Sequence, residues 1–429
     1  KDQGNDMRKI FIIFFTFFIC LYAKEQTLSN IPPASIEYIN LEPEFCDEAC
    51  LKKLVSENLL ASFMARFEPT KTTNSELLSL YNELNGKFTP QTPQGANKIA
   101  VIIPQKTIKS YTSVVTNSLI SYVASTNAKV ELKFIMSGDE SAQNITNAIN
   151  TARDQNISYF IAPFTPSGVR VLDQNIAGNE LAYVPSVHAS LVSYAKPNII
   201  FGGIDYQAQI AALLKISNDK VAAFSDASGL GETLNEYVRK LSASEIYEVQ
   251  VAGKELKLDG YLSKKSKFDG SSVFLNLPVI KASLVATQMR GYQITPFALL
   301  STQINYIPNI FGAIAQRDRQ NLYIANSVNP QNDQLVATNA LFDVDLRYSQ
   351  IGYSCSVGLD YIYSNFIDPS HKRLFSENLV GSQIVYDIKL FEAKGENFTP
   401  LEPVAQDLDP AARDLKNDTN SSLIRQGLE

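Results

Sequence analysis

Between residues 98 and 220 short β-rich apolar runs alternate with helical patterns, and the polar residues of chemical interest follow the runs directly. Residues 98–104 (KIAVIIP), 128–135 (AKVELKFI), 158–163 (SYFIAP) and 181–185 (LAYVP) read as buried parallel strands. Between the second and third, residues 143–155 place Ile145, Ala148, Ile149 and Ala152 on one helical face. Residues 111–123 suit a helix, although Val114, Val115, Thr116 and Ile120 also suit a strand. Repeated β-α units predict an α/β architecture with any site at the carboxyl ends of the strands.

A second series follows: strands at 221–224, 246–251, 272–275 and 295–299, with helices at 231–241 and 279–290. After a strand at 323–326 come helical stretches at 333–346 and 354–366, then a strand at 383–391 with a break near Asp387. With 429 residues, 45% of them hydrophobic, the chain can bury at least two cores. Four parts are expected: a leader at 7–23, a helical extension and linker at 24–95, a body at 98–400, and a disordered polar tail at 401–429. The extension should hold a helix over 47–67, with Leu51, Leu54, Val55, Asn58, Leu59, Ser62 and Phe63 roughly on one face, and a second over 74–84.

Arg8 and Lys9 precede the apolar run 10–21 (IFIIFFTFFICL), which is short for a membrane span and typical of a secretory leader that starts at Met7 and is cut after Ala23. The expected location is therefore the periplasm, with the membrane reached only through a partner. Cys46 and Cys50, four residues apart, are close enough for a local disulfide in an oxidising compartment. A zinc site there needs further ligands, and the chain has two histidines, His188 and His371, neither adjacent. The net charge of -6 and the single short basic run Lys264, Lys265 and Lys267 argue against nucleic acid. Residues 228–231 (SGLG) lack the rest of a dinucleotide fingerprint, and neither a P-loop nor a G-x-S-x-G elbow occurs. No cofactor and no catalytic residue is expected.

The order of these elements resembles the type 1 periplasmic solute-binding proteins, the group that includes leucine-binding proteins and receptor ligand-binding domains. The resemblance covers residues 98–399 and is carried by the opening strand 98–104, the loop 162–167 (APFTPS), the strand-end loop 184–190 (VPSVHAS), the turn 226–229 (DASG), and the strand and helix 274–291 followed by Pro296. It implies two Rossmann-like lobes joined by three crossovers that close over a ligand. Thr165, Ser167, His188 and Ser190 are then the candidate ligand-binding residues for a small polar molecule, since hydroxyls and free amides at helix N-termini favour an anion such as a carboxylate. The competing role for Ser and Thr before a helix is that of an N-cap. Two departures stand out: Gln105 to Lys109 lack the glycine common after the first strand, and Ala162 replaces a common glycine.

Similar two-lobed domains serve in outer-membrane regulators of cell-wall synthases. The extension, through Cys46, Cys50, Leu51, Leu54 and residues 62–67 (SFMARF), also resembles a segment of periplasmic proteins of spiral flagellated bacteria, some of which build accessory discs around the flagellar motor. That resemblance implies an envelope scaffold as the alternative function, with a protein partner held through residues 24–95. Asp154, Asn156 and Ser158, and again Asp418, Asn420 and Ser422, resemble the acidic bacterial N-glycosylation sequon, making Asn156 and Asn420 candidate glycosylation sites.

Overall fold

A computed structural model describes residues 46–57, 59–69, 71–72, 74–88, 97–251 and 258–401. The leader, the linker at 89–95, Asn420 and all of the tail beyond Leu401 lie outside the described residues. The described chain falls into two units, residues 46–88 and 97–401. No helix among the described residues is long and apolar enough to cross a membrane.

In the first unit the expected helix over 47–67 is two helices, Glu48–Ser56 and Leu60–Arg66, followed by a third, Ser75–Phe88. A single straight helix would hold Leu51 and Phe63 about 18 Å apart. The break lets both join Phe67 and Leu77 in one small buried core. Asp47 caps the first helix by accepting from the Cys50 amide at 2.9 Å, and Cys46 and Cys50 are joined in a disulfide with a Cα separation of 5.3 Å.

The larger unit contains two sheets. Strands β1 (Asn97–Ile103), β2 (Val130–Met136), β3 (Tyr159–Ile161), β4 (Leu181–Val184) and β5 (Ile199–Phe201) lie in the order β2-β1-β3-β4-β5, all parallel. Strands β6 (Val221–Asp226), β7 (Tyr247–Val251), β8 (Ser272–Asn276), β9 (Ala298–Ser301) and β10 (Leu322–Asn326) repeat that order as β7-β6-β8-β9-β10. Parallel neighbours need crossover helices, which settles 111–123 as part of the helix Tyr111–Thr126, with Val115, Leu119 and Tyr122 buried on one face. Each sheet is covered on both faces. Along β1, Ile99, Val101 and Ile103 enter one core while Ala100 and Ile102 enter the other.

The sheets are completed by strands that return late in the sequence. The expected strand over 383–391 is split: β12 (Gln383–Val385) pairs with β5 in the first lobe, and β13 (Lys389–Lys394) pairs with β10 in the second. The break near Asp387 is thus a crossing between lobes. Short antiparallel strands β11 (Asn378–Val380) and β14 (Asn397–Pro400) finish the two edges. The other crossings are residues 202–205, ahead of the second-lobe helix Tyr206–Leu214, and 327–332, ahead of the helix Asp333–Leu341, which packs on Tyr111–Thr126 in the first lobe. That helix stops five residues before the expected end, at a turn where Asp343 takes φ 59°. The next, Gln350–Ile362, starts four residues early because the Ser349 hydroxyl caps it.

Glycine is required at the first crossing. A Cβ on Gly202 would lie 1.8 Å from the Tyr183 hydroxyl oxygen, and one on Gly203 would lie 2.2 Å from the Val187 carbonyl carbon. The Gly202 carbonyl accepts from Ser354 Oγ at 2.8 Å and Tyr386 Oη at 2.7 Å, so this crossing is packed from three sides.

Candidate functional site

The carboxyl ends of the strands in both lobes face a cleft of about 790 Å³. In each sheet the order reverses between the first and third strands, and the loops leaving β1, β3, β6 and β8 all contribute to the lining. The first lobe supplies residues 107–111, Pro163 and Ser186. From the second come Asp226, Ser228, Asn276, Gln303 and Ile304. Tyr206 and Gln350 meet across the lobes, the tyrosine hydroxyl donating to Gln350 Oε1 at 3.0 Å. Tyr348 reaches from the first-lobe side into the aromatic cluster of Tyr306 and Phe398.

The segment without the expected glycine keeps a glycine-like backbone. After one helical turn, Gln105–Ile108, the exposed Lys109 adopts φ 50° and ψ −116°, a conformation that is strained for a side-chain-bearing residue.

On the second-lobe wall Asp226 ends β6 and is almost wholly buried. Burial alone would raise its carboxyl, but the Ser228 hydroxyl and amide and the Lys281 ammonium, 3.0 Å away, together hold it below the usual carboxylate range. Ser228 also caps the helix Gly229–Leu241, accepting from the Gly231 amide. Gly231 is needed here, since a Cβ would stand 2.6 Å from Asp226 Oδ1.

Two amides beside it are incompletely paired. Asn276 Oδ1 and Gln303 Nε2 are buried and have no hydrogen-bond partner among the described residues. Their orientations follow from their other bonds. Asn276 Nδ2 donates to Asn235 Oδ1, whose Nδ2 donates to the acceptor-only carboxylate of Glu248, itself clamped by Arg239. Gln303 Oε1 accepts from the Ser327 amide at 2.6 Å, which can only donate. A buried polar group left unpaired costs about 1–3 kcal/mol.

Of the sequence-predicted ligand residues, Thr165, Ser167, His188 and Ser190, none lines this cleft. Thr165 starts the helix Pro166–Asn175, and both its amide and its hydroxyl donate to the carboxylate of Glu140. The anion-favouring end of that helix is therefore occupied by the chain's own side chain. Ser167 is exposed and accepts from Arg170. His188 and Ser190 stand at the crossings instead, with His188 lining a second cavity of about 250 Å³ alongside Gln383, Tyr386 and Asp387. Since the Ser190 amide donates to His188 Nδ1, that nitrogen is the acceptor, and the Ser190 hydroxyl donates to it at 2.8 Å. Nε2 faces Asp205 at 3.8 Å. Burial lowers the imidazole pKa, against the pull of Asp205. Asn156 is exposed in a left-handed turn at φ 57°, after the helix Ala142–Arg153.

No protein-family model matches the chain, and no curated protein matches it in sequence. Solved structures do match in shape. A putative branched-chain amino acid ABC transporter protein from Rhodospirillum rubrum superposes with a TM-score of 0.57 at 10% identity, covering 71% of this chain and 100% of its own. The substrate-binding protein LivJ from Streptococcus pneumoniae, in complex with isoleucine, gives 0.54 at 11% identity, covering 72% and 100%. The fold is that of the type 1 periplasmic binding proteins. A solute-binding protein from R. palustris in complex with 4-hydroxybenzoate shares it, at a TM-score of 0.54 and 12% identity over 72% of this chain and 96% of its own. Identities this low establish architecture and leave the chemistry to the residues themselves. Within this type 1 fold, Asn276, Gln303, Tyr206 and Gln350 were missed in the sequence because nothing local marks them beyond their place after a strand or before a helix.

Proposed function

We propose that the protein is a non-catalytic, exported binding module that recognises a small polar ligand in the cleft between its two lobes, in the periplasm. The observation that carries this reading is the cleft itself: about 790 Å³, bounded by strand ends of both sheets, and lined by polar side chains such as Ser186, Ser228, Tyr206 and Gln350. The leader-like run at 10–21 supports export. In the cleft lining, Asp226 is the carboxylate and it is paired with Lys281, and neither histidine contributes. A thermal-shift screen of the purified chain against amino acids, amides, sugars and organic acids tests the proposal. A ligand at 100 times its Kd adds about 2.7 kcal/mol to stability, a shift of several degrees.

A second reading, an envelope scaffold holding a protein partner through residues 24–95 in the manner of a flagellar-motor accessory or a cell-wall-synthase regulator, is favoured by one observation. Residues 46–88 carry a core of their own, with the Cys46–Cys50 bridge at the start of its first helix. Co-purification of envelope proteins that depends on residues 24–95, with no thermal shift from any small molecule, would select it.

A further inference from the structure

We infer that residues 343–349 form an arm of the first lobe that pins the second through Tyr348, so that the angle between the lobes is held by the chain itself, without a ligand. Two lobes joined by peptide crossings alone move relative to each other by default. The crossings here are residues 202–205, 327–332 and 386–388. The arm is a fourth connection, and it is noncovalent.

Its side chains are anchored in different lobes. Val344 and Leu346 are buried, and Leu346 belongs to the first-lobe core with Leu119 and Leu359. Tyr348, two residues on, packs instead against the second-lobe core, its ring centroid 5.5 Å from that of Tyr306 and 6.1 Å from that of Phe398. Tyr306 follows β9 and Phe398 lies in β14, both strands of the second sheet. Directly after the arm, Gln350 accepts from the hydroxyl of Tyr206, the first residue of the second-lobe helix Tyr206–Leu214, and Ile351 returns to the first-lobe core.

The arm is braced, so Tyr348 follows the first lobe in any rotation. At its start Asn117 Nδ2 donates to the Phe342 carbonyl at 2.8 Å, and the Val344 amide donates to the Asn339 carbonyl at 3.0 Å. Both tie it to first-lobe helices. The Asp345 carbonyl accepts from the Tyr348 and Ser349 amides at 3.1 and 2.9 Å. The Asp345 carboxylate accepts two bonds of 3.0 Å from Arg347, whose guanidinium carbon lies 5.9 Å from the Tyr348 ring centroid. Opening the lobes must therefore draw Tyr348 away from Tyr306 and Phe398 or unfold the turn that carries it. Residues 348–351 all line the cleft, so on the binding-module reading a ligand meets a preset cleft rather than driving its closure. The pin itself does not depend on that reading.

The test is a pulsed dipolar distance measurement on the full chain without ligand, spin-labelled at Gln174→Cys in the first lobe and Lys264→Cys in the second, both exposed positions. Cys20→Ser is the background, Cys355 is buried, and Cys46 and Cys50 are bridged. The parent chain should give one narrow distance. An aromatic contact of this kind shifts an equilibrium by roughly two- to tenfold. Tyr348→Ala, which loses two, should therefore raise the population at a second lobe separation at least about fourfold. Phe398→Ala, made from the second-lobe side, should do the same, whereas Tyr194→Ala, at an exposed first-lobe tyrosine, should leave the distribution unchanged. Cooperative melting shows that each variant is folded; should Phe398→Ala fail to fold, Tyr348→Ala and Tyr348→Leu, at a half-buried position, carry the test. A Tyr348→Ala distribution that superimposes on the parent's, or a parent already spread over two lobe separations, overturns the inference and leaves the binding-module proposal standing. That proposal falls separately, on a thermal-shift screen in which no compound binds.

Discussion

Replacing Gly202 by alanine should unseat the first crossing between the lobes. The new methyl group would lie 1.8 Å from Tyr183 Oη, 2.4 Å from Tyr183 Cζ and 2.5 Å from Ser354 Oγ. Tyr183 cannot step aside. It is wholly buried, its hydroxyl is tied to the Ser354 carbonyl at 3.0 Å, and its far edge rests on Gly358, where a Cβ would stand 2.0 Å from the ring. Relief must come from moving the crossing itself, which breaks the bonds from Ser354 and Tyr386 to the Gly202 carbonyl. Overpacking costs about 1–3 kcal/mol and each lost hydrogen bond about 1 kcal/mol. Together these give a destabilisation of about 3–5 kcal/mol, a melting temperature lower by roughly 10 °C. Urea and thermal unfolding of the variant measure it, with Gly260→Ala, whose Cβ would meet nothing within 4 Å, as the control. A cost under about 1 kcal/mol, or one equal to that of the control, would refute the claim that this crossing is locked by close packing.

Three further predictions follow from single contacts. Asp360 is fully buried and accepts from Tyr122 Oη at 2.8 Å and the Leu374 amide at 3.1 Å, with Arg373 Nε at 3.4 Å. Asp360→Ala should therefore cost about 3–5 kcal/mol in denaturant unfolding by orphaning these groups, and a loss below 1 kcal/mol would contradict that account. Lys109→Gly should raise stability by about 1 kcal/mol, because relief of the positive-φ strain outweighs the extra entropy of a glycine; a lower melting temperature would show that the lysine is not strained. His188 should titrate below the ordinary value of 6.5, since burial, the leading cause, disfavours the imidazolium. The unfolded chain then takes up its proton first, so the contribution of neutral His188 is intact above pH 6.5 and is lost as pH falls through the folded value. NMR titration of the His188 ring reads this directly, and a midpoint above 6.5 would show the Asp205 charge to dominate instead.

What the sequence by itself determined is the alternation of elements and therefore the architecture. Runs such as AVII in β1 and VAAF in β6 are apolar on both faces, which fits interior parallel strands and little else, and the Ile145, Ala148, Ile149, Ala152 stripe could only be a helix packed on them. Even the break near Asp387 was legible, though not its meaning: only pairing partners far away in the chain show that Gln383–Val385 and Lys389–Lys394 belong to different sheets. The three-residue strands β5 and β11 escape notice because they display no period of their own, whereas β3, equally short, was legible within the run 158–163.

The site was decided by tertiary structure. Thr165 looks like an open anion site along the chain, and it is the arrival of Glu140 from 25 residues away that fills it. Asp226 looks like a free carboxylate until Lys281, 55 residues on, neutralises it. Asn276 and Gln303 carry no local mark at all, and their unspent donor and acceptor exist because burial removes water and fixed neighbours claim the other half of each amide. Periodicity is a local property that a sequence must carry in order to fold, whereas the pairing of a polar atom depends on whichever distant residue the fold delivers to it.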